Sequence, residues 1–389
     1  MGPAGDGFGA RRDASAQFDS SQVPDEPYLL LTPGPLSTTK SVRAAMLRDW
    51  CTWDDDYKSL TQDVRARLVG LAAPGHADEY TAVLLQGSGS FAVEAVLGTA
   101  VPRFGRLMVL ANGAYGRRMI EIARAVGVDF VAHLDAETET PDPMALARAL
   151  DADPDISHVA LVHCETTTGI LNPLADLARV VKQRGRSLIV DAMSSFGGIP
   201  MDASALGIDV VVSSANKCIQ GVPGFAFAIW RRASLERCAG NARSLCLDLY
   251  DQWTTMDRDG KWRFTSPTHS VHAFRQALLE LEVEGGVPAR HERYRTNQRT
   301  LVDGFAEVGI AALLPRELQS PIITSFVYPP SPDFDFAELY TRLKSRGYVI
   351  YPGKVTARDT FRVGSIGDVH PNDMAALATV VAQEMFWSC

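Results

Sequence analysis

Short apolar runs that alternate with amphipathic segments between residues 60 and 230 constrain the fold of this 389-residue chain more than any other feature. The runs show no polar alternation, whereas segments such as 115–126 and 175–184 place apolar residues at helical spacing. Strands that are apolar on both faces and separated by helices form a mostly parallel sheet covered by helices. We therefore predict an α/β domain with strands near 83–85, 107–110, 130–132, 159–162, 188–190 and 210–212, and one further strand, parallel or antiparallel, at 226–230.

The segment before these strands contains a turn and a helix. Thr32-Pro33-Gly34-Pro35 cannot extend a sheet, because its two prolines lack N–H donors. Ser37 is then expected to cap a helix that runs to about Leu47.

The last third of the chain predicts a second, smaller domain of the α+β type. A helix over about 272–284 ends at Gly285-Gly286, and a second helix starts from residue 289. We place the large domain at 27–271 and the small domain at 272–389. The Gly-, Ala-, Ser- and Asp-rich residues 1–26 are expected to form a disordered leader. Strands of the small domain are expected near 322–327, 348–351 and 360–364.

Composition excludes several classes of protein. The apolar content of 46% and charged content of 22% are typical of a globular protein, and the net charge of −8 argues against non-specific nucleic-acid binding. No apolar stretch approaches the roughly 18 residues of a membrane helix, and the leader has no signal-peptide core. Six cysteines without C-x-x-C pairs or metal spacing predict reduced thiols, no metal site and a cytoplasmic location.

One lysine and one aspartate stand at the ends of two predicted strands. Asp191 directly follows the run 187–190, and Lys217 lies in the small-residue loop after the run 210–212. Alone, such an aspartate is more often a turn residue and such a lysine is usually solvated. Open α/β sheets, however, bind ligands at the carboxyl ends of their strands. The layout is that of an enzyme using pyridoxal 5′-phosphate, with the lysine as Schiff base and the aspartate holding the pyridine nitrogen protonated.

Loops after three other strands supply the remaining groups that this cofactor needs. The loop Gln86-Gly87-Ser88-Gly89-Ser90 precedes a helical segment, where glycine, hydroxyls and free N–H groups bind phosphate. Tyr115 could stack on the cofactor ring, and the hydroxyls of the threonine run 166–168 could reach the 3′-oxygen of the ring. Each motif alone is equally explained by a tight turn, a core residue or an ordinary loop. Their position on successive strand ends, together with the lysine and aspartate, favours one site.

A substrate anion would need a cationic partner, and Arg362 lies on a predicted strand of the small domain. A guanidinium group binds carboxylate or phosphonate through two parallel hydrogen bonds. A structural salt bridge is the alternative role for this arginine. The basic and aromatic segment 261–267 could also contact an anion, including one in a neighbouring subunit.

The chain resembles the 2-aminoethylphosphonate–pyruvate transaminase family, a group of fold-type I pyridoxal-phosphate aminotransferases in the alanine–glyoxylate transaminase branch. The resemblance spans roughly residues 28 to 387, and several of its strings are specific to this family. The matching strings are LLLTPGPL (29–36), CTWDDDY (51–57), LLQGSGSFAVEAVLG (84–98), NGAYG (112–116), ETTTG (165–169), IVDAMSSFGGIPMD (189–202), SSANKCIQGVPGFAF (213–227), KWRFTSPTH (261–269), SPIIT (320–324) and YVIYPGK (348–354).

The resemblance implies a role for each candidate residue. Lys217 would form the Schiff base and shuttle the proton, and Asp191 would pair with the pyridinium. Thr265 would reach the cofactor phosphate of a neighbouring subunit, which implies a homodimer with shared active sites. Arg362 would clamp the substrate anion. The other implied cofactor-binding residues are Ser88, Gly89, Ser90, Tyr115 and Thr167.

The implied reaction moves the amino group of 2-aminoethylphosphonate to pyruvate, giving phosphonoacetaldehyde and L-alanine in phosphonate catabolism. It would be ping-pong, through pyridoxamine phosphate. One alternative is another aminotransferase of the branch, acting on alanine, serine or glyoxylate. A lyase or desulfurase would need a mobile cysteine in the small domain, where Cys389 is the only one in the sequence. A non-catalytic member would not need Lys217 or Asp191.

Overall fold

The computed structural model describes residue 21, residues 23–353, residue 355 and residues 358–387. Most of the predicted leader, residues 1–20 and 22, lies outside the described residues. Cys389 and residue 354, the last of the YVIYPGK string, lie outside them as well.

The described residues form helices that alternate with strands through most of the chain. The strands are β1 (Leu29–Leu30), β2 (Tyr80–Gln86), β3 (Arg106–Ala111), β4 (Asp129–Leu134), β5 (Ile156–Val162), β6 (Cys164–Glu165), β7 (Ile170–Leu171), β8 (Ser187–Asp191), β9 (Val210–Ser214), β10 (Phe225–Arg231), β11 (Ile323–Val327), β12 (Tyr348–Val349), β13 (Tyr351–Pro352) and β14 (Thr360–Gly364). The helices are α1 (Lys40–Ala45), α2 (Asp55–Ala72), α3 (Gly89–Ala100), α4 (Ala114–Ala125), α5 (Pro143–Ala152), α6 (Leu174–Gln183), α7 (Ala203–Leu206), α8 (Arg232–Glu236), α9 (Leu249–Asp259), α10 (Thr268–Glu284), α11 (Gly286–Glu307), α12 (Phe336–Ser345) and α13 (Pro371–Glu384).

The large domain is built on a seven-stranded sheet in the order β2-β10-β9-β8-β5-β3-β4. Strand β10 is antiparallel to both of its neighbours, and the other pairs in the sheet are parallel. The predicted mostly parallel α/β sheet is therefore confirmed, and each predicted apolar run lies within one of its strands. The strand predicted at 226–230 is β10, and it is antiparallel.

In the inner strands of the sheet, such as β8 and β9, the absence of polar alternation follows from burial on both faces. Leu188 and Val190 of β8 belong to one hydrophobic core, and the intervening Ile189 belongs to the other. Helices α2, α6 and α10 supply side chains to the first core, and helices α3, α4 and α9 supply side chains to the second. Both cores hold the carboxyl ends of β8 and β9 in fixed register, with Asp191 opposite Val212.

The small domain is built on a three-stranded antiparallel sheet in the order β11-β14-β13, with α11 and α13 packed together beside it. Its core includes Leu301, Phe326 and Phe361, and it also takes in Leu31 from the start of the chain. The side chains of α10 belong instead to the core of the large sheet. Helix α10 therefore packs in the large domain and the next helix, α11, contributes to the core of the small domain, so these two helices connect the domains. The domain boundary at residue 272 stays a prediction.

The predicted cap of the first helix is wrong. Helix α1 starts two residues later than expected, and Thr39 accepts the capping hydrogen bond from Val42 N at 3.3 Å. Ser37 instead accepts a hydrogen bond from Leu30 N at 2.9 Å, which ties the incoming strand to the turn. Among the described residues, none of the helices is both long and apolar enough to span a bilayer.

Candidate active site

A cavity of about 210 Å³ lies at the carboxyl edge of the large sheet. Because parallel strands end at the same edge, the loops after β2, β3, β8 and β9 meet there. Six of the nine predicted site residues line this cavity. They are Ser88, Gly89, Ser90, Tyr115, Asp191 and Lys217. Thr167, Thr265 and Arg362 do not line it.

Lys217 enters the cavity from the loop that follows β9. Its Nζ donates hydrogen bonds to Pro33 O at 2.7 Å and Gly34 O at 3.3 Å. Gly34 has a φ of +105°, and a Cβ there would lie 2.7 Å from Lys217 Cδ, so the turn approaches the lysine only with glycine at this position. Burial lowers the pKa of Lys217 to about 8, so the amine becomes available as the free base close to neutral pH.

Asp191 is the last residue of β8 and is only 6% exposed. Its Oδ1 accepts a hydrogen bond from Met193 N at 2.9 Å, and burial raises its pKa to about 6. Within the described part of the chain, no lysine, arginine or histidine forms a salt bridge with this carboxylate. A buried carboxylate that faces a cavity without a cationic partner is suited to an N–H donor or a cation on a ligand.

An anion cradle lies at the start of α3. Ser88 is the N-cap residue, and its side chain makes no capping hydrogen bond. The N–H groups of Gly89 and Ser90 belong to the first turn, where an α-helix offers donors without intrahelical acceptors. Arg118 of α4 lines the same cavity and donates from Nη1 to Ser90 Oγ at 3.3 Å. No described carboxylate pairs with this guanidinium.

The aromatic candidate Tyr115 is held by a carboxylate that the sequence did not single out. Glu165 is fully buried, and its Oε2 accepts hydrogen bonds from Tyr115 N at 3.0 Å and Gly116 N at 3.3 Å. Gly113 permits this contact, since a Cβ there would lie 2.2 Å from Glu165 Cγ. Thr167 Oγ1 donates to Glu165 Oε1 at 2.7 Å, so its hydroxyl is engaged behind the cavity wall. Glu165 therefore fixes the first turn of α4.

Arg362 lies in the middle of the small-domain sheet and is 1% exposed. Its Nε donates to Pro352 O at 2.9 Å, and its Nη1 donates to Thr166 O at 2.8 Å. These bonds orient the guanidinium plane against backbone carbonyls, and no salt bridge to Arg362 occurs among the described residues. The alternative role as a structural ion pair is therefore not observed there. Its charge contributes to lowering the pKa of Lys217, after the larger effect of burial.

Thr265 lies in the loop between α9 and α10 and is exposed. The same loop is anchored by Arg263, which pairs with Asp251 at 3.1 Å and donates to Leu245 O at 2.8 Å. This loop leaves Thr265 directed at the surface rather than at the cavity of its own chain. The structure does not bring it together with the lysine and the aspartate.

Sequence reasoning missed two charged residues at this site, Arg118 and Glu165. Arg118 follows Tyr115 by three positions, so both lie on one face of α4, and its guanidinium carbon is 5.1 Å from the Tyr115 ring centre. That spacing is the signal that could have found it. Glu165 stood in the ETTTG string, but its bonds to α4 depend on a sequence separation of fifty residues and leave no local pattern.

The chemistry of the lining residues fits pyridoxal phosphate. The amine of Lys217 matches the aldehyde, the carboxylate of Asp191 matches the ring N–H, and the start of α3 with Arg118 matches the phosphate. Tyr115 lines the same cavity as these groups. No group of three or more metal-ligating side chains occurs within the described residues.

Comparison with known proteins places the chain in a family. A family model described as Aminotransferase class-V matches residues 75–365. A 2-aminoethylphosphonate–pyruvate transaminase of Syntrophobacter fumaroxidans is 59% identical over 364 residues, which are 93% of this chain and 97% of that protein. A protein of the same name from Bacteroides fragilis is 58% identical over 360 residues, which are 92% of this chain and 99% of that protein.

Solved structures agree on the fold. A pyridoxamine–pyruvate aminotransferase from Mesorhizobium loti superposes with a TM-score of 0.84 at 23% identity, covering 93% of this chain and 92% of that one. An alanine–glyoxylate aminotransferase from Nostoc sp. gives the same TM-score and identity, covering 96% and 99%. The predicted fold-type I architecture is confirmed. The chain belongs to the class-V aminotransferases and, within them, to the family whose members are named 2-aminoethylphosphonate–pyruvate transaminase.

Proposed function

We propose that this protein is a pyridoxal-phosphate aminotransferase that moves the amino group of 2-aminoethylphosphonate to pyruvate, giving phosphonoacetaldehyde and L-alanine. The observation that carries the proposal is the joint presence of the Lys217 amine and the Asp191 carboxylate in one cavity, beside an anion cradle. Relatives with the same activity in their name share 56–59% identity with it over almost its full length.

Each of the six predicted residues that line the cavity has a proposed role. Pyridoxal phosphate, when bound, supplies an aldehyde that accepts an amino group and a ring that takes up negative charge. Lys217 would tether the aldehyde, and its Nζ as a free amine, whose pKa burial lowers to about 8, would carry the proton near neutral pH. Asp191 would hold the ring N–H, and Tyr115 would pack on the ring face. Ser88, Gly89 and Ser90 would bind the phosphate.

Arg362 is proposed to hold the anionic end of both substrates, the phosphonate of one and the carboxylate of the other. Two of its N–H groups are fixed by Pro352 O and Thr166 O, which sets the direction of the remaining Nη2. Since a preoriented guanidinium loses little rotational freedom on binding, this geometry favours recognition of an anion. A single clamp for both substrates fits a ping-pong cycle, in which the amino donor and the keto acceptor occupy the site in turn.

Arg118 is expected to strengthen cofactor binding. An Arg118→Ala variant should raise the dissociation constant of pyridoxal phosphate by about 10- to 100-fold, because a charge-assisted hydrogen bond to phosphate is worth about 1.5–3 kcal/mol. Arg117→Ala is the matched control, since Arg117 is the exposed neighbour on the same helix and does not line the cavity. The dissociation constants of both variants are measured by fluorescence titration of the cofactor-free proteins with pyridoxal phosphate. Equal dissociation constants for the two variants would contradict the phosphate contact.

The active unit is proposed to be a cytoplasmic homodimer in which Thr265 reaches the cofactor phosphate of the partner. Two observations support this. Thr265 is exposed and lies away from the cavity of its own chain. Cys164, Cys218 and Cys238 are buried free thiols, as expected in a reducing compartment.

The experiment that tests the proposed reaction is an absorbance titration of the cofactor-loaded protein with 2-aminoethylphosphonate in the absence of pyruvate. The visible band of the lysine-linked cofactor should disappear as the amino group is transferred, and pyruvate should restore it with formation of L-alanine. A band that ignores 2-aminoethylphosphonate but responds to L-alanine and L-serine would assign the chain to the sister aminotransferases instead. A protein that shows no band after incubation with the cofactor would contradict the proposal as a whole.

A further inference from the structure

Gln220 has a backbone conformation that is unusual for its residue type. With a φ of +69°, it is the one non-glycine residue with positive φ among the described positions. An L-residue with a long side chain is strained in this region, which glycine adopts readily. The neighbouring positions 221 and 224 are glycines, so the loop contains the residue type that would remove the strain. Gln220 is also 3% exposed, so its amide is buried at a cost unless it is paired.

The side chain of Gln220 joins the lysine loop to the small domain. Its Nε2 donates to Gly367 O at 2.7 Å and to Tyr294 OH at 2.7 Å. Its backbone N donates to Lys217 O at 2.8 Å, which closes a turn on the lysine itself. One residue therefore bonds to Lys217 on one side and, on the other, to the segment that follows β14, the strand of Arg362.

Helix α11 reinforces this connection from both directions. Arg290 Nη1 and Tyr294 OH both donate to Cys218 O, at 2.8 and 3.2 Å. Arg293 Nη1 donates to Gly367 O at 2.9 Å and to Val369 O at 2.7 Å. The carbonyl of Gly367 thus receives donors from both Gln220 and α11.

We propose that Gln220 is a positioning residue that sets the distance between Lys217 and Arg362 by locking the lysine loop to the small-domain segment 365–369. The strain at its backbone is retained because glycine would remove the side chain that makes the connection. The role of Arg362 in this statement rests on the proposed function. A residue that fixes Lys217 and Arg362 relative to each other should affect the binding of substrates that must contact both groups. It should not affect the reaction rate of reagents that need Lys217 alone.

The test compares the cofactor-loaded parent with Gln220→Gly and Gln220→Asn. Glycine relieves the backbone, and asparagine tolerates a left-handed conformation but is one methylene too short to keep both bonds, so both variants are compatible with the fold. Hydrogen exchange of the amides in 215–221 and in 365–369 should accelerate about tenfold or more in both variants. Gln298→Ala is the matched control, a buried glutamine with two side-chain bonds in the small domain, and it should leave 215–221 unchanged.

Two further readouts separate positioning from a structural role. The KM values for 2-aminoethylphosphonate and pyruvate should rise about tenfold in both Gln220 variants, while the rate of reaction with hydroxylamine, which carries no anion, stays at the parent value. Unchanged exchange in 365–369 would overturn the coupling, whatever the substrates prove to be. Altered exchange with parental KM values for both anions would overturn the link to Arg362 and leave the proposed reaction standing.

Discussion

A Lys217→Ala enzyme should turn over its substrates at least about 10⁴-fold more slowly than the parent, because the proposed function makes Lys217 both the tether and the proton carrier of the site. The amine lies in the cavity with Asp191 and is oriented by the carbonyls of Pro33 and Gly34. No other lysine lines this cavity, within the residues that the structure describes. Added amines have no fixed orientation there and should restore only a small part of the rate. Parental turnover in this variant would place the chemistry elsewhere.

A second substitution of Lys217 should show that the buried lysine lowers the free energy of unfolding of the cofactor-free protein. Burial lowers the pKa of Lys217 from 10.5 to about 8, so the folded protein bears a cost of about 3 kcal/mol for the buried ammonium. This cost is fully present below pH 8 and disappears as the pH rises through the unfolded pKa of 10.5. Cofactor-free Lys217→Met, which keeps the apolar stem, should therefore be more stable than the cofactor-free parent at pH 7.

Urea unfolding of these two cofactor-free proteins at pH 7 and pH 10 measures the effect. The advantage of the methionine variant should shrink between the two pH values. An advantage that stays constant with pH would show that side-chain packing, and not the buried charge, is the cause.

The sheet and the cavity at its carboxyl edge could be predicted from the sequence, because burial on both faces of a strand leaves an uninterrupted apolar run. Leu188, Ile189 and Val190 are all apolar since each faces one of the two cores, and the aspartate that follows them stands out. The glycine and serine residues after β2 can also be recognised in the sequence. Small residues at the start of a helix let a ligand anion approach the free N–H donors there. These features are local, and a single sequence carries them.

The parts that could not be predicted depend on contacts between distant segments. Glu165 bonds to α4 across fifty residues, and nothing near it distinguishes it from a surface glutamate. Arg117 and Arg118 are adjacent in sequence, but only the second lines the cavity, since helix rotation decides which one turns inward. Gln220 occupies a conformation that its residue type disfavours, so propensity argues against the position it holds. Such residues become visible only when the chain is folded.

An Asp191→Asn enzyme should lose about 10³-fold in turnover, because a neutral amide cannot hold a protonated ring nitrogen as a buried carboxylate does. Asparagine has the same shape and keeps an acceptor for Met193 N, so the loss reports the charge and not the packing. Asp191→Glu is the control that keeps the charge on a longer stem, and it should be less impaired than Asp191→Asn. Equal activity of the asparagine variant and the parent would contradict the pairing of Asp191 with the ring nitrogen.

The charge at Asp191 should also govern stability, with the opposite pH dependence to that of Lys217. Burial raises the pKa of Asp191 from 3.8 to about 6, so the carboxylate costs the cofactor-free protein about 3 kcal/mol above pH 6. That cost disappears as the pH falls through the unfolded pKa of 3.8. Cofactor-free Asp191→Asn should be more stable than the parent at pH 7 and equal to it near pH 4, as measured by urea unfolding. Bound cofactor should reverse the order of stability at pH 7, since under the proposed pairing its ring N–H would form an ion pair with the carboxylate of the parent and not with the amide of the variant.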